Sequence, residues 1–484
     1  MAFRSLKDFV DFLEERGELK RIKTKVSPKL EITEIADRLV KKGGPALLFE
    51  NVEGSLFPVL INALASEKRM AWALGCEKLD DLANELSALI KTQPPQGLRD
   101  KIKMIPKLAQ IASFMPRRVA SGDCQDVILR DKDVDLSQLP ILTCWPKDAG
   151  PFITFPLVIT QDPVTKIRNI GIYRMQVLDK TSTAMHWQIH KTGRRHFEQY
   201  RERGEKMPVA VAIGGDPSLT WAACAPLPDG IDECLMSGFI RKKGVELVKC
   251  KTNDLYVPAD ADFVLEGTID PKEDFVIEGP FGDHTGYYTP PESFPRFHVT
   301  AITHRKKPIY FTTIVGRPPM EDAWMGKAVE RIFLPLLQMT FPEVVDMHVP
   351  AVACFHNLAI VSLHKQYPGH AKKMMMSLWG MGQMMTNKCL IIVDHDVDVH
   401  NLYEVVWRVT NNIDAKRDIS FVEGPVDHLD HASPHQFIGS KMGIDATRKW
   451  KEEGYTREWP EVIRMDEGTK NRVNEIWSKL GIKD

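Results

Sequence analysis

At 484 residues the chain is too long for one compact core, so two or three domains are expected. Lys and Arg total 64 against 65 Asp and Glu, a balance that offers nucleic acid no basic face and leaves no charged tail. The eight cysteines are scattered without a C-x-x-C pair, so no zinc or redox motif is spelled out, and a reducing, cytosolic setting fits.

Met1-Ala-Phe-Arg-Ser runs directly into a helical pattern, and no apolar stretch is long enough to span a bilayer, so only peripheral membrane contact is left open. Ser5 caps a helix whose Leu6, Phe9, Val10 and Leu13 recur at helical spacing until Gly17 stops it. Short apolar runs broken by Gly and Pro from Pro45 to Ala63 predict strands, and Leu79 to Ile111 returns to helical periodicity around Pro94-Pro95. Residues 1–115 thus read as an N-terminal α/β domain.

Over 116–320, runs rich in Val, Ile, Thr and aromatics are separated by turn residues: Phe155 to Thr160, Asn169 to Val177, Val209 to Ile213 and Arg296 to His304. That texture predicts a β-barrel or sandwich. Residues 321–484 then alternate strand, helix, strand, helix over Ala351 to Leu363, Ala371 to Met385, Cys389 to Asp394 and Asn401 to Asn411, an α/β unit. Without repeats or long linkers the domains are expected to pack on one another.

Four constellations could carry chemistry. On the strand Asn169-Ile-Gly-Ile-Tyr-Arg174, strict alternation sends Asn169 and Tyr173 to one face and Ile172 and Arg174 to the other. Asn169 and Arg174 serve one site only if the strand bends or ends near Gly171; an exposed edge strand reads the same way. The run His186-Trp-Gln-Ile-His190-Lys191-Thr192-Gly-Arg-Arg-His196 has the cation density that suits a phosphate, although a surface basic loop would too.

Asp232-Glu233 heads a helix, where acids ordinarily serve the dipole. Joined by an Asn oxygen and an imidazole, a carboxylate there makes a hard donor set for Mn²⁺ or Mg²⁺. In Glu278-Gly-Pro-Phe-Gly-Asp283-His-Thr-Gly-Tyr-Tyr288, two carboxylates flank a rigid turn of small residues. If Arg174 approaches them, one acid is expected to be held ionised and the other raised in pKa, ready to donate a proton. His428, His431 and His435 read as packing or subunit contacts, and Met374 to Met376 with Met384-Met385 as core or interface filling.

Taken in order, Asn-x-Gly-Ile-Tyr-Arg at 169–174, Val-Pro-Ala-Asp-Ala-Asp-Phe-Val-Leu-Glu-Gly at 257–267, the 278–288 motif, Gly-Arg-Pro-Pro at 316–319 and Gly-Ser-Lys-Met-Gly-Ile-Asp-Ala-Thr at 439–447 resemble the UbiD family of prenylated-FMN decarboxylases over nearly the whole chain. The resemblance implies an α+β multidomain protein. Its central split β-barrel, of the flavin-reductase type, binds prenylated FMN, and a C-terminal domain makes a homo-oligomer, dimer or hexamer.

It places Asn169 and Glu233 on a Mn²⁺ that also touches the cofactor phosphate, with His190 as third ligand and His186 in reserve, and a monovalent cation such as K⁺ beside it. Ile172, Tyr173, Arg174, His186, Trp187, Gln188, Lys191 and Thr192 fall on cofactor-contacting positions, and Lys372 or Lys373 supplies a further phosphate contact. Arg174, Glu278 and Asp283 become the catalytic group, with Asp283 the proton donor. A flavin prenyltransferase of the UbiX type would supply the cofactor.

The implied reaction is decarboxylation of 3-polyprenyl-4-hydroxybenzoate to 2-polyprenylphenol in ubiquinone biosynthesis. The rivals are a dihydroxynaphthoate of a menaquinone route, a simple hydroxybenzoate handled reversibly, and a non-catalytic flavin-binding subunit of a larger carboxylase.

Overall fold

A computed structural model describes residues 3–91, 108–228 and 230–482. The first helix, Leu6–Glu15, begins where Ser5 Oγ accepts the Asp8 N–H at 3.2 Å, and it buries Leu6, Phe9, Val10 and Leu13, as their spacing predicts. It lies beside a four-stranded sheet ordered Leu19–Ile22, Ala46–Phe49, Val59–Ile61, Tyr310–Phe311. The helical run from Leu79 is present as Leu79–Ile90; its expected continuation through Pro94-Pro95 lies outside the described residues.

The central sheet positions the site. Its strands follow the order Phe152–Ile153, Met175–Asp179, Ser182–Met185, Arg296–His304, Phe263–Ile269, Met207–Ile213, Leu157–Gln161, Arg168–Ile172, and Val127–Arg130 pairs separately with Arg296–His304. Arg168–Ile172 closes one end of that order and Met175–Asp179 stands near the other, yet only Tyr173 and Arg174 separate them in the chain. A two-residue link can join them only if the sheet curls back on itself, which makes it a half-barrel. The expected single strand from Asn169 to Val177 is therefore two strands, broken at Tyr173-Arg174.

The C-terminal sheet is ordered Val344–His348, Leu358–Leu363, Cys389–Asp394, Ile438–Asp445, Ile419–Pro425, with the middle three strands parallel. Helix His370–Trp379 covers one face, burying Met374 and Met375, so these two methionines fill core while Met376 is exposed. Residues Ala351–Ala353, expected to start a strand, form a tight turn, and the strand begins at Leu358. Helix Glu321–Thr340, which no sequence signal marked, runs between the layers and packs on Leu79–Ile90 and Glu67–Ala73. With Tyr310–Phe311 pairing on Val59–Ile61, it returns the chain twice to the N-terminal sheet. One apolar core accordingly extends from Phe3 through the barrel to Ile332, so these layers do not tumble independently. None of the described helices is long and apolar enough to cross a membrane.

Within the barrel, the pairing of Phe263–Ile269 with Arg296–His304 shifts register between Glu266 and Gly267, and a Cβ at Gly267 would lie 1.8 Å from the His298 carbonyl oxygen. Backbone on a partner strand cannot yield as a side-chain tip can. Gly267→Ala should therefore lower stability by about 2–3 kcal/mol, read as a fall in thermal midpoint.

Candidate active site

The break at Tyr173-Arg174 turns the Arg174 side chain toward the loop that follows strand Val276–Glu278. Its guanidinium grips Glu278 through Nε to Oε1 at 2.7 Å and Nη2 to Oε2 at 3.0 Å, while Nη1 donates to Asp283 Oδ2. Nη2 also donates to Thr289 Oγ1 at 3.2 Å, and the cation lies 4.5 Å from the centre of the Phe281 ring. Glu278 is fully buried and Asp283 nearly so.

The turn carrying the acids is held from behind. Gln176 Oε1 accepts the Gly279 N–H at 2.7 Å, and Asp148 Oδ1 accepts the Gly282 N–H at 2.8 Å. Trp145 is wedged between two glycines: a Cβ at Gly282 would meet its ring at 2.3 Å, and one at Gly316 at 2.6 Å. Gly279, at φ +89°, occupies the left-handed region.

Burial by itself raises the Glu278 carboxyl, but the hydrogen bond from His186 and the Arg174 charge outweigh it and leave the group at about 2. Asp283 is likewise held well below the usual carboxylate range, against burial, by His284 and Arg174. The expectation that one acid is raised is thus corrected: Arg174 spans both carboxylates and each has a histidine besides, so both rest ionised. Burial and the Arg174 charge hold the His186 imidazole below its ordinary value.

His186 Nδ1 lies 3.3 Å from Glu278 Oε2, its ring centre is 4.2 Å from that of Phe294, and its backbone N–H donates to the Arg174 carbonyl at 3.2 Å. The reserve candidate for the metal therefore lies against the acid pair. His428, 6.2 Å from His186 ring to ring, donates from Nε2 to Glu292 Oε2 over 2.8 Å, and His431 packs on Tyr287; both act as packing contacts between C-terminal domain and barrel.

The second centre surrounds Asn169. Asp232 caps helix Glu233–Arg241 by accepting the Cys234 N–H at 2.8 Å, so the dipole role falls to Asp232 and Glu233 is left to face strand Arg168–Ile172. Glu233 Oε2 accepts the Ile170 N–H at 3.0 Å, beside buried Asn169, whose Nδ2 reaches the Tyr173 hydroxyl at 3.4 Å. Burial pushes Glu233 up to about 7, since Arg168 is engaged by Asp232. A half-buried carboxylate facing the strand that carries Asn169, without an ion-pair partner among the described residues, is a donor that a hard divalent cation would relieve. His190 is exposed, and no hydrogen bond joins it to Asn169 or Glu233 among the described residues.

The basic run after Met185 opens helix Thr192–Arg203 rather than remaining a loop. Lys191, at its N-cap, provides no side-chain acceptor for the first amides, and burial lowers its ammonium. A cation desolvated beside uncapped helix amides makes an anion seat. Trp187 Nε1 is buried with no partner among the described residues, Gly193 leaves space for that ring, and Gln188 and Thr192 are half-buried alongside. Ile172 is half-buried at the strand end, and Tyr173 folds back over Gly171. Lys373 is engaged by Glu343 at 2.7 Å, and Lys372 is exposed on the same helix.

Sequence reasoning missed Phe281, Thr289, His284 and His356 around the acids. The first three stand within or next to the quoted motif, whereas His356 arrives from another domain without a local signal.

The depressed Glu278 value has a measurable consequence. Because the folded group lies below its ordinary 4.5, this stabilisation, about 3 kcal/mol, is fully present above pH 4.5 and lost as pH falls toward 2. Between pH 5 and 2 the thermal midpoint of Glu278→Gln should fall less steeply than that of the wild type.

Comparison with known proteins covers the whole fold. Family models described as the N-terminal, Rift-related and C-terminal domains of 3-octaprenyl-4-hydroxybenzoate carboxy-lyase match residues 10–88, 117–318 and 323–446. Uncharacterized proteins of Archaeoglobus fulgidus and Aquifex aeolicus are 51% and 52% identical to this chain, each covering 99% of both sequences. Among solved structures, the vanillic acid decarboxylase of Sedimentibacter hydroxybenzoicus in closed form is 27% identical, with a TM-score of 0.86 and full coverage of both chains. Its open form gives 0.81. The UbiD-class enzyme HmfF of Pelotomaculum thermopropionicum, in complex with FMN, is 30% identical with a TM-score of 0.79, covering 95% of this chain and 97% of that one. Three family models in order, together with whole-length structural likeness, establish that the chain belongs to the UbiD family and is a carboxy-lyase.

Proposed function

We propose that the enzyme removes carbon dioxide, without net oxidation, from a 4-hydroxybenzoate-type aromatic acid, using prenylated FMN held with Mn²⁺. The observation that carries this reading is the buried triad in which Arg174 bridges Glu278 and Asp283, next to the anion seat at Lys191. Loss of carbon dioxide from a ring leaves an electron pair on an aryl carbon that water does not stabilise, and bound prenylated FMN supplies the acceptor for it.

The remaining work falls to this chain's side chains. Asn169, Glu233 and His190 would hold the metal, and Lys191, Thr192 and the helix amides the phosphate, with Lys372 as an outer contact. Ile172, Tyr173, His186, Trp187 and Gln188 would line the ring system. Arg174 fixes Glu278 and orients the substrate carboxylate, and the buried setting strengthens each contact. Asp283 protonates the ring carbon. As it rests ionised, each turnover must first bring it a proton.

The substrate named by the family models, 3-octaprenyl-4-hydroxybenzoate, supports the ubiquinone-route reading. The full-length likeness to a vanillic acid decarboxylase favours a second, a simple hydroxybenzoate. A flavin prenyltransferase is the implied partner. Tyr403, Val406 and Trp407, exposed on helix Leu402–Asn412, are apolar enough to serve a homo-oligomer contact.

The test is co-expression with a flavin prenyltransferase, mass spectrometry of the bound cofactor, and carbon dioxide release across prenylated and plain hydroxybenzoates, vanillate and a dihydroxynaphthoate. Asp283→Asn should retain the cofactor and lose about 10³-fold or more in turnover; near-normal turnover would remove Asp283 as the donor. Glu233→Ala should lose bound manganese, measured by elemental analysis.

A further inference from the structure

Asp283 meets Arg174 through Oδ2, and its other oxygen, Oδ1, is where His284 converges. The His284 backbone N–H donates to Oδ1 at 2.7 Å, and its ring Nδ1 lies 2.9 Å from the same atom. The far nitrogen of that ring, Nε2, stands 2.7 Å from Nε2 of His356. At this separation the two nitrogens share one proton, so one ring donates and the other accepts. Nδ1 of His356 is buried and has no hydrogen-bond partner among the described residues. A continuous line of hydrogen-bonding groups therefore runs from the His356 ring, through His284, to Asp283.

The line crosses between domains. His284 belongs to the barrel loop, and His356 to the turn ahead of strand Leu358–Leu363 in the C-terminal sheet. Two residues just before it, Cys354 and Phe355, have φ of 56° and 47°, a region L-residues rarely adopt. This turn lays Phe355 against Gly326 and stacks its ring on His284, centroids 5.4 Å apart. Backbone strain at the turn that brings both Phe355 and His356 against His284 is the kind of outlier from which a functional hypothesis is drawn.

We propose that His284 and His356 form a proton relay that recharges Asp283 in each catalytic cycle, a reading that rests on the decarboxylation proposed above. His284 gives its Nδ1 proton to Asp283 Oδ1 and takes the Nε2 proton of His356 at its own Nε2. His356 takes a proton from hydronium at Nδ1, leaving water. Three bonds to hydrogen break and three form, one positive charge passes from solvent to carboxylate, and both rings end neutral as the opposite tautomers. Exchange with water after product release restores the starting state.

The surroundings fit this traffic. His284 faces Asp283, Asp322 at the head of helix Glu321–Thr340, and Asp427 of the loop after strand Ile419–Pro425. Burial lowers its imidazole but these acids raise it more, so it is a ready carrier. His356 faces His284, Asp427, Asp283 and Lys191; burial above all brings it down to about 4, leaving it neutral near pH 7 and able both to accept and to donate. A purely structural His284 would not need the second ring at 2.7 Å.

The experiment uses full-length enzyme loaded with cofactor and compares wild type with His356→Phe and His356→Ala. For His356→Phe we expect kcat to fall about 10²-fold with KM within twofold, and deuterium uptake into product from D₂O to fall in parallel. Imidazole should restore part of the rate to His356→Ala alone. In cofactor-free chain, ¹⁵N-histidine spectra should show His284 as the Nδ1–H tautomer, with an Nε2 signal that moves in His356→Phe. Wild-type carbon dioxide release matched by His356→Phe, with equal deuterium uptake, would overturn the relay and leave the reaction standing. Loss of kcat without imidazole rescue, alongside an unmoved His284 signal, would overturn it too. Wild type that releases no carbon dioxide from any aromatic acid tested would remove the reaction, and the relay with it.

Discussion

Everything at the centre of this protein depends on a guanidinium buried between two carboxylates. Taking three charges out of water is costly, and the group persists only because each remaining donor and acceptor is met. Arg174 binds Glu278 through two nitrogens and Asp283 through a third, Thr289 takes a further N–H, and Phe281 presents its ring face. Two carboxylates against one cation leave one negative charge uncompensated. His186 and His284 approach Glu278 and Asp283 respectively, so that each acid is supported from its outer side. Removing the cation would strand two buried anions, which explains why an arginine with its fixed fork of donors stands there rather than a lysine.

The geometry around that pair follows from how the sheet closes. Only Tyr173 and Arg174 link strands that lie toward opposite ends of the half-barrel, so the link lies at the split, where the sheet has no neighbour to pair with. On one side of it the Ile170 N–H, next to Asn169 in the chain, meets Glu233; on the other Arg174 meets Glu278. The metal-type donors and the acid triad are thus held a few residues apart on one chain, with the uncapped helix end at Lys191 close to Tyr173 through the Gly193 amide. The C-terminal domain reaches over this edge, bringing His356 to His284 and His428 to Glu292. Site residues therefore come from both layers, and the long helix Glu321–Thr340, anchored on the N-terminal helices, fixes how those layers meet.

Parts of this were readable from residue order. The amphipathic helix after Ser5, the strand-rich centre, strand Cys389–Asp394 and the helix beginning after Asn401 follow from apolar spacing and caps, which are local. The joining of Arg174 to Glu278 and Asp283 came only from resemblance, because alternation on an unbroken strand points Asn169 and Arg174 to opposite faces. Glu321–Thr340 escaped notice since Gly326 and Pro335 interrupt its helical pattern, and its mixture of charges is explained only by packing on two sides. The pKa expectation failed for a related reason: a sequence shows that two acids are near each other, but not that one arginine reaches both.

The sequence by itself determined the kinds of chemistry available, since hard oxygen donors, a cation-rich run and paired acids on a glycine turn are properties of residue type and local spacing. It also determined the family, through several motifs in fixed order. Tertiary structure alone decided which groups touch. Curling the sheet broke the strand at Tyr173 and freed Arg174 for both acids, capping by Asp232 released Glu233 toward the Ile170 N–H, and the packing of a separate domain brought His356 to His284. Each is a contact between residues distant in the chain, set by how layers close rather than by what any short stretch prefers.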